Sequence, residues 1–154
     1  MTLESRRIGW ELLVAALLFV PTAGHATGAP AEEGHEAVRV HYIEIVCRDV
    51  AAERAVLERV HGLSFGAAVE DLGGAQVASA PEGTQIGIRA PLGEHEQPII
   101  RTYVEVDDIA RAIEAAQAAG AVVAYPPTKQ GDTGTWAIYV VGDVQHGLWQ
   151  PSHD

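Results

Sequence analysis

One short pattern occurs twice in this chain, and it constrains the fold more than any other feature. Val40-His41-Tyr42-Ile43-Glu44-Ile45-Val46-Cys47 alternates with period two, as a strand does, and leads through Arg48-Asp49-Val50 into a helical stretch ending near His61-Gly62. Ile100-Arg101-Thr102-Tyr103-Val104-Glu105-Val106 repeats the strand, and Asp107-Asp108-Ile109 opens a second helical stretch that stops at Gly120. Asp49-Val50 and Asp108-Ile109 stand 59 positions apart, each aspartate where a helix N-cap is wanted. Self-similarity of this kind points to a duplicated unit.

In the second helix Ile109, Ala112, Ile113 and Ala116 fall at i, i+3, i+4 and i+7, which makes one apolar stripe. The first helix is expected to turn Ala52, Val56 and Val60 inward and to leave Glu53, Arg54 and Glu58 in water. Three extended segments follow each helix: 64–70, 75–80 and 84–89, then 122–125, 135–141 and 146–150. Gly73-Gly74, Pro81-Glu82-Gly83 and Gly142-Asp143 separate them as turns. The fold class is therefore α+β: one domain over residues 38–151, built of two βαβββ halves at about 38–91 and 98–151.

The 154 residues suffice for one such domain with appendages, not for two of full size. A net charge of −11 repels phosphate backbones and anionic membrane surfaces, so nucleic acid is not an expected partner. The single cysteine, Cys47, supports neither an internal disulfide nor a thiolate zinc cluster. Arg6 and Arg7 precede an apolar run over residues 8–20, then Pro21 and small residues, which is the order of a secretory signal peptide. That run of 13 residues is short against the roughly 20 needed for a permanent span. Residues 1–31 thus read as a cleaved leader and 32–37 as a linker, with an exported product. A leader misread from an upstream start codon would instead leave the protein in the cytoplasm.

Strand side chains alternate faces, so each strand divides into two rows. One row is apolar: Ile43, Ile45 and Cys47; Ile86 and Ile88; Thr102, Val104 and Val106; Trp136, Ile138 and Val140. It is expected to meet the helices. The other row holds Tyr42, Glu44 and Val46; Gln85, Gly87 and Arg89; Arg101, Tyr103 and Glu105; Thr135, Ala137 and Tyr139; His146, Leu148 and Gln150. Tyrosines beside opposite charges suit the wall of a wet cavity better than a dry core.

The strand-turn-helix segment 42–50, its repeat Val104-Glu105-Val106-Asp107-Asp108-Ile109, and the closing Gly142-Asp143-Val144-Gln145-His146-Gly147-Leu148-Trp149-Gln150 resemble the vicinal oxygen chelate superfamily, the glyoxalase, bleomycin-resistance and extradiol-dioxygenase group. The resemblance spans residues 38–151. It implies paired βαβββ modules whose curved mixed sheets enclose a central cavity, with the helices outside. Chemistry of lyase, isomerase or dioxygenase type on a small oxygenated molecule is one implied function. Sequestration of a small molecule without catalysis is the other.

Metal-using members of that family place ligands at the start of each module's first strand and near the end of its last. Here those positions fall on Tyr42 and Arg101, on the stretch 87–89, and on Gln150. Arginine is a permanent cation and cannot ligate, so a pocket without metal is preferred. Glu44, His146 and Gln150 share the inner row and are the set a divalent metal would use if one binds. His41 belongs to the opposite row from Tyr42; facing the cavity would require a register slip. Glu44 and Glu105 are the candidate general bases, provided that a substrate proton lies within reach. Arg89 and Arg101 either stabilise an enolate-like oxygen or pair with those acids to hold the cleft open. Tyr42, Arg89, Arg101, Tyr103, Tyr139, His146 and Gln150 are the expected ligand-binding residues. A homodimer, with Trp136 or Trp149 at its boundary, is a third expectation.

Overall fold

The computed structural model describes residues 38–152; the expected leader and linker lie outside the described residues. The first half runs β1 (Val40–Val46), α1 (Val50–His61), β2 (Ala68–Val69), a 3-10 turn (Glu70–Leu72), β3 (Ala75–Ser79) and β4 (Gln85–Arg89). The second runs β5 (Ile99–Glu105), α2 (Ile109–Ala118), β6 (Val122–Gln130), β7 (Gly134–Val141) and β8 (Val144–Pro151). In both halves the last strand lies parallel to the first, β4 beside β1 and β8 beside β5. Antiparallel pairing of β1 with β5 joins them into one eight-stranded mixed sheet, in the order β2-β3-β4-β1-β5-β8-β7-β6.

Both helices start as their sequences require. Asp49 Oδ1 accepts from Ala52 N–H at 2.9 Å, and Asp108 Oδ1 accepts from Arg111 N–H at 3.0 Å. Gly62 ends α1 in the left-handed conformation, at φ 67°, and returns its N–H to Glu58. In α2, Ile109 and Ile113 are buried as the stripe predicts. In α1 the expected stripe is wrong: Val56 and Val60 are 57% and 65% exposed, while Val50 and Leu57 pack on the sheet. Leu57 presents more apolar surface than either valine and sits seven residues from Val50, so this pair sets the rotation of the helix. Arg54 follows it inward and donates to Gln76 Oε1 at 2.9 Å.

Two strands depart from their expected lengths. The stretch 64–70 pairs only at Ala68–Val69 and then tightens into the 3-10 turn, which ends at the left-handed Gly73. Conversely, β6 continues through Pro126 and Pro127 to Gln130. It can do so because it is the outer strand of the sheet, and its register shifts between Tyr125 and Thr128 accommodate residues that cannot donate to a ladder.

Three buried clusters hold the domain together. Phe65, Ala78 and Ile88, with Ile45, Cys47 and Ile86, lie under α1. Ala137 and Leu148, with Val106, Val123 and Tyr139, lie under α2 against Ile109 and Ile113. The third cluster, Tyr42, Tyr103, Ile138 and Trp149, is on the opposite face of the sheet, with Val77 and Trp136 against it. That face is concave. Although β2 and β6 are the two ends of the strand order, Gln130 Nε2 at the end of β6 donates to the carbonyl of Asp71 beside β2.

Candidate functional site

The concave face holds two adjoining chambers of about 850 and 300 Å³, which share Tyr42, Asp71, Leu72, Gln130 and Trp149 in their walls. At the floor of the larger lies Glu44, on the central strand β1. Its Oε1 accepts from Arg89 Nε of β4 at 2.6 Å. Its Oε2 accepts from Arg101 Nη1 of β5 and from the Tyr103 hydroxyl, the latter at 3.0 Å. The register dictates this meeting, because Glu44 is opposite Arg101 in one ladder and Gly87 in the other, two residues from Arg89 and so on its face of the strand. Glu44, Arg89 and Arg101 are each only 5–6% exposed.

Both arginines are matched again outside this pair. Arg89 grips Glu96 with two bonds, Nη1 to Oε2 at 2.7 Å and Nη2 to Oε1 at 2.6 Å. Arg101 donates from Nε and Nη2 to Gln145 Oε1, at 3.0 and 2.5 Å. Hydrogen bonds from Arg89, against the opposing effect of burial, hold the Glu96 carboxyl below its usual range. Burial lowers the Arg89 guanidinium's proton affinity, but Glu96 and Glu44 together more than reverse this. Burial, reinforced by the Glu44 charge, raises the Tyr42 and Tyr103 phenols well above the ordinary phenol range. Both therefore remain protonated and able to donate at neutral pH.

Trp136, Ile138 and Trp149 wall the larger chamber together with Tyr42, Tyr103 and Tyr125. For β7 and β8 this reverses the expected faces. Ile138 pairs with Gly147 and Trp136 with Trp149 on the cleft side, while Ala137 pairs with Leu148 under α2. Both rows of 135–141 are apolar enough for a core, so composition does not decide between them; α2 does, because it approaches closely only over a small residue such as Ala137.

Five expected site residues, Tyr42, Glu44, Arg89, Arg101 and Tyr103, meet in one chamber. Four do not join them. Tyr139 and His146 stack on each other on the helix side of the sheet, with ring centroids 5.1 Å apart. Gln150 turns to the same side and accepts from the Ile109 N–H at 2.9 Å, capping α2. Glu105 is separated from Glu44: its Oε2 lies 3.5 Å from Arg39 and 3.5 Å from His41. The metal set Glu44, His146 and Gln150 is thus divided between two faces, and both Glu44 oxygens are engaged by arginine. Among the described residues, no three His, Cys, Asp or Glu side chains converge as a metal site requires. A divalent metal does not fit the donors that this floor presents.

Sequence reasoning also kept His41 off the cavity face, and a bulge puts it there. Val40 pairs with Val104 and Tyr42 with Tyr103, so β1 carries one extra residue at His41. The imidazole lines the smaller chamber and stacks on Trp149, with centroids 4.6 Å apart and planes within 5°. No alternation of residue types marks such an insertion. Gln145 and Glu96 were likewise missed: Gln145 stands on β8 one position before the strand's expected start, and Glu96 reaches the floor from the connection between β4 and β5.

Parallel first and last strands in each of two βαβββ halves, joined through their first strands around one cleft, decide the architecture. The chain has the vicinal oxygen chelate fold. Solved structures agree, at identities that speak for the fold alone. A hypothetical protein of Bacillus halodurans C-125 superposes with a TM-score of 0.61 at 13% identity, covering 77% of this chain and 98% of its own. Methylmalonyl-CoA epimerase of Mycobacterium tuberculosis gives 0.58 at 17%, covering 74% and 88%. A glyoxalase/bleomycin resistance protein/dioxygenase superfamily member of Vibrio splendidus 12B01 gives 0.55 at 15%, covering 74% and 99%. No protein-family model and no curated protein matches the chain. Within the vicinal oxygen chelate fold, then, this cleft carries an arginine-clamped glutamate at its floor.

Proposed function

We propose that this protein binds a small, planar, oxygenated organic molecule in the cleft, without a metal bridging ligand to protein. The observation that carries this reading is the closed network of Glu44, Arg89, Arg101 and Glu96 beneath aromatic walls. Two cations face two carboxylates, so the floor is polar yet balanced in charge. Tyr103 already donates to Glu44, and the walls of Trp136, Trp149 and Tyr125 offer faces on which a flat ring stacks.

The rim narrows the ligand class. Asp71, Glu94 and Asp143 also line the larger chamber, while Arg89 and Arg101 are already paired. A methylmalonyl-CoA epimerase of similar fold is seen with methylmalonyl-CoA. Polyphosphate ligands of that kind would meet acids here with both chamber arginines engaged, so an uncharged or cationic molecule is favoured. This supports the sequestering alternative over lyase, isomerase or dioxygenase chemistry routed through a metal.

Titration of the full chain with planar probes, 2-naphthol and 5-nitrobenzisoxazole, tests the reading through tryptophan fluorescence. Saturable quenching that weakens in Trp136→Phe is the expected result; no saturation up to the solubility limit of either probe would remove it. Export belongs to the same proposal, and the first residue of secreted material would establish whether cleavage falls near residue 31.

A further inference from the structure

The smaller chamber holds an arrangement that the floor network does not use. The His41 ring is fixed by its stack on Trp149, and its Nδ1 is buried, facing the buried Glu105 Oε2 at 3.5 Å. Neither atom has a hydrogen-bond partner. They are complementary, an N–H donor and a carboxylate oxygen, and closing by several tenths of an ångström would bring them to the ordinary bond length of about 2.9 Å. Such bonds are often long in a free site and tighten when a ligand is bound. The other ring nitrogen, Nε2, makes no hydrogen bond to a described residue and is not among the sealed polar atoms, so it is accessible on a residue that lines the chamber.

Once that bond closes, the carboxylate behind Nδ1 holds the tautomer with the proton on Nδ1 and the lone pair on Nε2. We propose that His41 is the proton acceptor of the smaller chamber, with Glu105 as its positioning residue, acting on an acidic C–H or O–H of the molecule held in the cleft. The ligand's proton passes to Nε2, and the electron pair of the broken bond stays on the ligand. The imidazolium so formed is stabilised by the Glu105 carboxylate until the proton is returned or lost to water. The inference rests on the reading of the cleft as a site for a planar organic molecule.

The charges around the ring agree with the role. Glu105 of β5 and Arg39 beside β1 face its Nδ1 side, while Asp71 and Asp132 line the chamber on the Nε2 side; Trp149 of β8 covers one face and carries no charge. Burial lowers the His41 pKa from its usual 6.5, against the raising effect of Glu105, so the ring is neutral and free to accept a proton at physiological pH.

The experiment uses 5-nitrobenzisoxazole with the full chain. A general base removes its ring C–H proton, that electron pair becomes the third C–N bond of a nitrile, the N–O bonding pair leaves on oxygen, and a coloured cyanophenolate is released. We expect saturable release whose pH profile rises through a pKa below 6.5, falls at least tenfold in His41→Gln, and shifts its profile in Glu105→Gln. Tryptophan quenching by the same compound separates the two readings. Quenching with release unchanged in His41→Gln overturns the proton-transfer role alone, whereas absence of quenching removes the cleft reading and this inference with it. Imidazole nitrogen shifts of the unaltered protein give a second measurement that no folding defect can confuse. An Nδ1-protonated neutral ring is expected, and a proton resident on Nε2 would overturn the proposal.

Discussion

The Tyr103 ring fills the space that a side chain at residue 147 would need: a Cβ on Gly147 would lie 2.5 Å from its Cδ1. The first module repeats the relationship, with the Tyr42 ring over Gly87, where a Cβ would come within 2.8 Å of Cε2. Each glycine is on the last strand of its module, parallel to the strand that carries the tyrosine. Gly147→Ala is expected to push Tyr103 off Glu44 and to cost about 1–3 kcal/mol in urea unfolding, as overpacking does. An unchanged midpoint would mean that the ring has somewhere else to go.

Removing the charge of Glu44 is expected to cost more than removing a rim charge. Glu44→Gln removes the charge that Arg89 and Arg101 share and leaves one acceptor oxygen where there were two, and breaking a buried pair costs about 3–5 kcal/mol. Asp143→Asn, at an exposed turn, should stay within about 0.5 kcal/mol. Equal unfolding midpoints for the two variants would contradict the clamped floor.

Gln150 separates a structural role from a ligand-binding one. As the cap on α2, its loss in Gln150→Ala is expected to lower stability by about 0.5–1.5 kcal/mol while leaving probe affinity unchanged. A weakened affinity at unchanged stability would return it to the cleft.

Acid should destabilise the domain in two steps. His41 has its pKa lowered from 6.5 by burial, so below pH 6.5 the unfolded chain takes up the proton more readily and stability declines as the pH falls. Glu96 has its pKa lowered from 4.5 by Arg89, so its contribution is complete above pH 4.5 and is lost as the pH falls through the folded value. Urea midpoints between pH 3 and 8 should lose the upper step in His41→Gln and the lower step in Glu96→Gln.

The repeat, both helix caps and the inward row of β1, β4 and most of β5 were legible because polar and apolar residues alternate cleanly there. Legibility failed where both faces of a strand are apolar, as in β7, and where a backbone irregularity overrides alternation, as at His41. The α1 rotation was misread for a third reason: two valines at regular spacing look like a stripe, but a single leucine buries more surface. Glu96 lies outside any periodic pattern, and Gln145 precedes the expected start of its strand; only the closure of the chain brings them to the arginines.

The most direct measurement of the account is a nitrogen–proton correlation spectrum of the full chain titrated with 2-naphthol. The account predicts that the indole signals of Trp136 and Trp149 and the amides of residues 42–44 and 101–103 shift together along one saturable curve. Shifts confined to the face carrying α1 and α2, around Tyr139 and His146, or none at saturating probe, would contradict it.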